Sequence, residues 1–373
     1  MEKMSRTNSD AAAKATGQEK AAAASNSFPK TGFPPSLFFR RICFFPAFIL
    51  SLPQQLKPFP TNNNIPYIHP PHASHIRRTK TVRWGIWKSS HYITMISKIP
   101  AEPKATEKSA RLSTLSGRFY PKNEQELDAL LSALFAATET SVSDPYGILV
   151  PHAGYVYSGK TAAYGYAAIS PAFNGTFVLL GPSHAGLETS TADMIWETPL
   201  GNVFPDSAFI EALSAQIPVR NDLISAEENS LEVQLPFIRY RFPKARIVPI
   251  LMGDQSPNGA VRVAQAVLSA AETTGIRPII IASGDGSHYV PAKIAAEKDL
   301  AVLAAVRHLD VSVFYDTLFR LRPSMCGYGC IAAMALICSS FGAKEARVLL
   351  YQTSGDVTGD LTEVVGYAAM EVV

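Results

Sequence analysis

A chain of 373 residues with 47% hydrophobic content is long enough to bury a large core, in one domain or in two small ones. Its formal charge of +3 conceals an uneven split: residues 1–95 hold 13 basic and 3 acidic side chains, whereas the remainder holds 21 basic and 28 acidic ones. The body is therefore acidic and carries no basic stripe interleaved with aromatics, which excludes nucleic acid as a partner.

Residues 1–95 begin Ala/Ser/Lys-rich and continue through FPKTGFPPS and PFPTNNNIPYIHPPH, with neither helical nor strand periodicity. Disorder is the expectation there. The apolar run at 42–52 is about 11 residues long and contains Pro46, too short to span a membrane. It also lies too deep for a secretory signal, and Glu2, Asp10 and Glu19 argue against an organelle transit peptide. We read this leader as a dispensable tail, or as the product of an upstream start codon with Met95 as the working start. A single α/β domain is then expected over 96–373.

From Arg111 onward, helix and strand patterns alternate. Apolar spacing predicts a helix in NEQELDALLSALFAA, a strand over 147–150, a helix over 161–169, a strand over 177–180 and a helix over 207–215. A helix over 231–240, a strand over 246–252, a helix over 261–273 and a strand over 278–282 follow. Helices near 292–308, 311–318 and 331–341 precede two last strands, 347–351 and 364–373. Such alternation predicts a mostly parallel sheet with helices on both faces.

Three short turns stand just past apolar runs: GILVPHAG, VLLGPSHAG and IIIASGDGSHY. In an open α/β sheet, ligands bind outside the carboxyl ends of the strands, so His152, His184 and His288 are expected to face one pocket. Imidazoles gathered with a thiol or carboxylate suit a transition metal or proton transfer. Cys326 supplies a candidate thiol, in the turn MCGYG before a helix. Cys338, inside IAAMALICSSF, reads as a core hydrophobe. Four cysteines without a CxxC pair make neither a disulfide framework nor a standard zinc site, and a reducing cytoplasm fits them best. His308, beside Arg307, reads as a solvated surface residue.

GYVYSGKT at 154–161 satisfies the pattern of a phosphate-binding loop. Its variable positions hold Tyr155, Val156 and Tyr157, which resist wrapping backbone amides round an anion. A nucleotide site would also leave the three histidine turns without a role.

The ordered motifs SGRFYP, PHAGYVYSG, LLGPSHAG, ENSLEVQLPF, IIIASGDGSHY, CGYGCIAAM and YQTSGDVTGD resemble the Memo family. That family includes the bacterial proteins called AmmeMemoRadiSam system protein B. The resemblance spans roughly residues 111–373. It implies a three-layer α/β sandwich with a mostly parallel sheet, similar to the class III extradiol dioxygenases, which hold iron with two histidines and a carboxylate. It further implies His152, His184 and Cys326 as metal ligands, iron or copper as the metal, and Asp285 and His288 as neighbouring catalytic positions. Glu232 is a weaker candidate to shape the pocket. A small-molecule or peptide ligand and a functional link to a radical-SAM protein are also implied by resemblance alone.

The residue chemistry is compatible with these roles. Neutral imidazole binds iron, copper or zinc, and a thiolate shifts preference toward copper(I). Asp285 could orient His288 as a proton relay. Taken singly, each residue also has a plain structural use, as a turn former or helix cap. Two departures from the family pattern stand out: Asn229 where a histidine is common, and Gly284 and Gly286 around Asp285, which predict a looser pocket wall. Three functions follow: a redox metal-binding protein, an extradiol-type dioxygenase of a small aromatic, or a metal-free peptide or small-ligand module. No G-x-S-x-G nucleophile elbow supports a serine hydrolase.

Overall fold

The computed structural model describes residues 108–224 and 228–373, and the expectations for the 1–95 leader lie outside those residues. In chain order the elements are β1 (Ala110–Arg111), α1 (Glu124–Ala136), β2 (Gly147–Val150), α2 (Tyr155–Ala167), β3 (Thr176–Pro182), β4 (Ser190–Thr191), β5 (Ile195–Trp196) and β6 (Phe204–Pro205). The middle of the chain forms α3 (Ser207–Leu213), α4 (Asn221–Ile224), α5 (Asn229–Glu232), α6 (Leu235–Arg241), β7 (Arg246–Met252), α7 (Pro257–Thr274), β8 (Ile279–Ser283) and β9 (His288–Val290). The last part forms α8 (Ala292–Ala305), α9 (Val311–Leu321), α10 (Tyr328–Ser340), β10 (Ala346–Thr353), α11 (Gly355–Thr358) and β11 (Val364–Val372).

The main sheet runs β10-β11-β2-β8-β3-β7-β4, with β6 also on β7 and β9 also on β11. Its four middle strands, β2, β8, β3 and β7, are mutually parallel. β11 runs antiparallel to both β2 and β10, and β4 runs antiparallel to β7. The sheet is thus mixed, and the expected parallel order holds for its centre alone. The cause lies in the connections: the short link through α11 between β10 and β11 cannot carry a crossover over the sheet, so that pair turns back on itself.

Strand alternation divides the interior into two cores. Leu149, Val178, Leu180 and Ile280 pack with Val263 and Val267 of α7 and Ile331 and Met334 of α10. Ile148, Val150, Phe177 and Leu179 pack with Leu127 and Leu131 of α1, Tyr166 of α2 and Phe237 of α6. Helices therefore flank both faces, which is why the middle strands read as continuous apolar runs. Local signals set the longest helix: the Ser256 side chain accepts from the Gly259 N–H, Pro257 opens α7, and Gly275 at φ 68° ends it.

Two sequence expectations change here. The predicted helix over 231–240 is two short helices, because Pro236 lacks an N–H and starts a new turn in α6. Helix α2 begins at Tyr155, six residues before the predicted start, with Gly154 as its N-cap. The phosphate-loop match is therefore helix: the Tyr157 and Ser158 amides already donate to the Gly154 carbonyl, so no cradle of open amides exists there. Among the described residues, no helix is long and apolar enough to cross a membrane.

Candidate metal centre

β8 lies between β2 and β3 and is parallel to both, so the carboxyl ends of the three strands share one edge of the sheet. The chain leaves β2 through Pro151 and His152, β3 through Ser183 and His184, and β8 through Gly284 and Asp285. The Cys326 turn closes onto the same edge. The Cys326 N–H donates to the Asp285 carbonyl at 3.2 Å, and the Asp285 N–H donates to Cys326 Sγ at 3.3 Å.

Glycines permit that approach. Gly327 caps α10 at φ 69°, and a Cβ there would lie 2.5 Å from the Ser283 carbonyl oxygen. A Cβ on Gly284 would lie 3.0 Å from the Cys326 carbonyl oxygen, and one on Gly286 would collide with Asp299 Oδ2. The expectation that Gly284 and Gly286 loosen the pocket wall is therefore corrected: backbone and the buried Asp299 carboxylate fill the space. Asp299 in turn accepts from the Ser287 N–H and hydroxyl and from the Tyr351 hydroxyl, which fixes the loop.

His152 is 2% exposed. Its Nδ1 lies 2.9 Å from Ser283 Oγ, and its Nε2 lies 3.2 Å from Cys326 Sγ. Its backbone N–H donates to Asp285 Oδ1 at 2.9 Å, and Asp285 Oδ2 stands 3.7 Å from Nε2. Burial, reinforced by the charges of His184 and His288, outweighs the attraction of Asp285 and Glu228 and lowers the His152 pKa to about 4. The ring is neutral at physiological pH.

His184 is held differently. Its Nδ1 lies 2.8 Å from Glu228 Oε1, and its backbone N–H donates to Glu228 Oε2 at 3.0 Å. A carboxylate only accepts, so Nδ1 carries the proton and Nε2 faces the pocket. Burial opposes a charged ring, but the Glu228 hydrogen bond and charge, with Asp285 behind them, raise the His184 pKa above the ordinary value. The His152 and His184 rings meet edge to face, with centroids 5.2 Å apart.

His288 opens β9 and is half-buried. Its Nδ1 donates to the Ser324 carbonyl at 2.7 Å, and its N–H donates to Ser324 Oγ at 2.7 Å. This alters the expected relay. Asp285 grips His152, and Ser324 on the Cys326 loop orients His288. Even so, Asp285, His288 and Cys326 offer ligand atoms within 4.8 Å of one another, as do His152, His184 and Cys326.

The other sequence candidates fall elsewhere. Glu232 is buried beside Arg111, where it accepts from the Leu115 N–H at 2.8 Å, Tyr120 Oη at 2.7 Å and Thr114 Oγ1 at 2.9 Å. All these partners belong to the N-terminal segment, so Glu232 anchors that segment and does not shape the pocket. His308 is exposed, as expected. Cys330 and Cys338 are buried in the core, and burial pushes both thiols well above their ordinary pKa. Asn229 donates from Nδ2 to the His152 carbonyl at 3.2 Å.

Sequence reasoning missed Glu228 as a partner of His184, together with Ser283, Gln234 and Ser324. Ser283 and Ser324 each stand two residues before a site candidate, Asp285 and Cys326, a spacing too frequent to single them out, and Glu228 and Gln234 meet the site only through the fold.

Comparison with known proteins finds one family. A family model described as "Memo-like protein" matches residues 111–371. A MEMO1 family protein of Methanosarcina acetivorans is 41% identical over 265 residues, covering 70% of this chain and 98% of the relative. One from Archaeoglobus fulgidus is 40% identical over 259 residues, covering 69% and 97%. Another, from Thermoplasma volcanium, is 37% identical over 267 residues, covering 70% and 97%.

Proposed function

We propose that this chain, which belongs to the Memo family, binds iron or copper between His152, His184 and Cys326 and serves redox or metal-dependent oxidation chemistry. The observation that carries the reading is the convergence of two imidazole nitrogens and a thiol sulfur within 4.8 Å, where the turns after β2 and β3 meet the Cys326 turn at one edge of the sheet. The donor set fits such an ion. His152 Nε2 meets Cys326 Sγ, Glu228 on Nδ1 leaves Nε2 as the ligand atom of His184, and mixed nitrogen and sulfur ligation suits iron and copper(I) rather than magnesium or calcium. A bound ion would supply electron transfer or Lewis acidity.

The protein's own residues do the rest. His152 is already neutral and can ligate without losing a proton, whereas the raised pKa of His184 makes a proton a stronger competitor for its Nε2. Glu228 stays as the Nδ1 partner and fixes that ring's direction. Asp285 holds the His152 turn, and His288 presents Nε2 where a proton could pass to or from a bound ligand. A thiolate ligand needs reducing surroundings, which supports a cytoplasmic setting.

The test is metal content of the anaerobically purified chain, beside the His152→Ala, Cys326→Ala double variant. Near-stoichiometric iron or copper in the first and none in the folded second is expected; unchanged metal in the double variant would refute the assignment. A metal-free protein that still takes a peptide or small ligand would favour the binding-module reading.

A second reading is an extradiol-type dioxygenase, within a sandwich of that fold. His288 and Asp285 favour it, because they place an imidazole and a carboxylate beside Cys326. Oxygen uptake by iron-loaded protein with a panel of catechols would support it, and absence of uptake across the panel would count against it.

A further inference from the structure

Ser283 is fully buried at the end of β8, and its hydroxyl meets three partners. Oγ lies 2.6 Å from the Ser230 carbonyl oxygen, 3.0 Å from Gln234 Nε2 and 2.9 Å from His152 Nδ1. A hydroxyl has one proton and two lone pairs. The Ser230 carbonyl can only accept, so at that distance the proton must go to it.

The orientation of Gln234 is fixed in the same way. Its Nε2 faces the Pro151 carbonyl at 2.9 Å, which can only accept, and its Oε1 receives the Tyr166 hydroxyl at 2.9 Å. The amide therefore donates to Ser283 and fills one lone pair. What remains for His152 is the second lone pair, which requires Nδ1–H on the ring. Nε2 is then bare, and it is the atom that faces Cys326 Sγ.

We infer that Ser283, saturated by Ser230 and Gln234, is a positioning residue that locks His152 in its Nδ1–H tautomer and so keeps Nε2 ready to ligate. Nothing in this lock touches the pocket itself. Ser283, Gln234 and Tyr166 act through His152, and each is fully buried. Only the affinity arm of the test below rests on the proposed metal site.

The experiment uses the metal-free full chain with ¹⁵N-labelled histidine side chains, in which the His152 signals are identified by their loss in His152→Asn. The wild type is expected to show a protonated Nδ1 and a bare Nε2 for this ring. In Ser283→Ala the Nδ1 acceptor is gone, so the Nε2–H tautomer should appear, because Cys326 Sγ can accept from it. Cobalt(II), titrated by its thiolate absorption band, should then bind roughly ten- to a hundredfold more weakly. Ser283→Thr keeps the hydroxyl and should restore both the tautomer and most of the affinity.

A wild-type Nε2–H signal would overturn the inference whether or not the alanine variant folds, as would an unchanged Nδ1–H ring in Ser283→Ala. Should the tautomer behave as expected while wild-type protein takes up no cobalt, the lock stands and the metal reading falls.

Discussion

Glu228→Gln keeps the shape of a buried side chain and removes the charge that holds His184. Glu228 is 6% exposed. Burial works against its ionised form, yet the His184 hydrogen bond and charge and the Ser230 and His184 backbone N–H groups bring its pKa to about 2, from an ordinary 4.5. A carboxyl shifted that far contributes on the order of 3 kcal/mol to stability. The sign follows from the depressed value: this stabilisation is complete above pH about 4.5 and lost as pH falls toward 2. His184 shares the pair from the other side. Its pKa is raised, so its part is complete below about 6.5 and lost as pH rises through the folded value. The two describe one interaction and are not added.

Urea unfolding of metal-free protein at about pH 3, 5.5 and 8 would isolate the effect, because the glutamine variant lacks the titration. Between pH 5.5 and 3, the stability advantage of wild type over Glu228→Gln should shrink by roughly 2 kcal/mol. Parallel curves for the two proteins across this range would refute the pairing. The same variant should take up metal from a lower pH than wild type, since its His184 surrenders a proton more easily. Its final affinity should be weaker by roughly ten- to a hundredfold, for want of a charged partner on Nδ1.

Four further outcomes are expected. Arg111→Met leaves Glu232 buried without its cation and should cost about 3–5 kcal/mol in urea unfolding. Glu232→Gln should also destabilise, yet retain metal stoichiometry when folded; loss of metal without loss of stability would return Glu232 to the pocket. Gly327→Ala forces a Cβ toward the Ser283 carbonyl at a positive φ and should lower stability by about 2 kcal/mol or more, seen as a lower Tm. A chain begun at Met95 should melt within about 2 °C of the full chain, a shift worth less than 1 kcal/mol, and loss of a cooperative transition would show that the leader contributes to the fold.

The histidines could be read from sequence because each turn is announced by a buried strand, and a strand's carboxyl end is a position that fold topology makes functional. Their partners could not. Glu228 is 44 residues from His184, and Ser283 is 131 from His152, so tertiary approach alone pairs them. The hydrogen-bond partners of Asp285 and His288 were hidden for a similar reason. Asp285 and His288 are close in sequence, but the loop between them is pinned to Asp299, and each then finds its nearer partner across the pocket. The start of α2 was hidden by propensity: Tyr155, Val156 and Tyr157 are mediocre helix formers, and the helix is held instead by packing, with Tyr155 buried and its hydroxyl donating to the Val233 carbonyl at 2.7 Å. Pro236 was legible as a break, but the apolar spacing on either side masked it.

The same ring atom, Nδ1, is secured in three chemically distinct ways across the site, and for His152 and His184 the pKa moves in opposite directions. A hydroxyl holds His152, a carboxylate holds His184 and a backbone carbonyl holds His288. At His184 the carboxylate hydrogen bond and charge outweigh burial and raise the pKa, whereas at His152 burial outweighs the charge of Asp285. With His152 lowered to about 4 and His184 raised, the two neighbouring imidazoles differ in how strongly a proton competes for them, and the competition is stronger at His184. Metal uptake below the raised His184 pKa must then release that imidazole proton, and uptake well above it must not. Calorimetric titration in buffers of different ionisation enthalpy would count the proton. A release that stays the same at both pH values, or that persists in Glu228→Gln at the lower one, would show that His184 is not the ligand that gives up the proton.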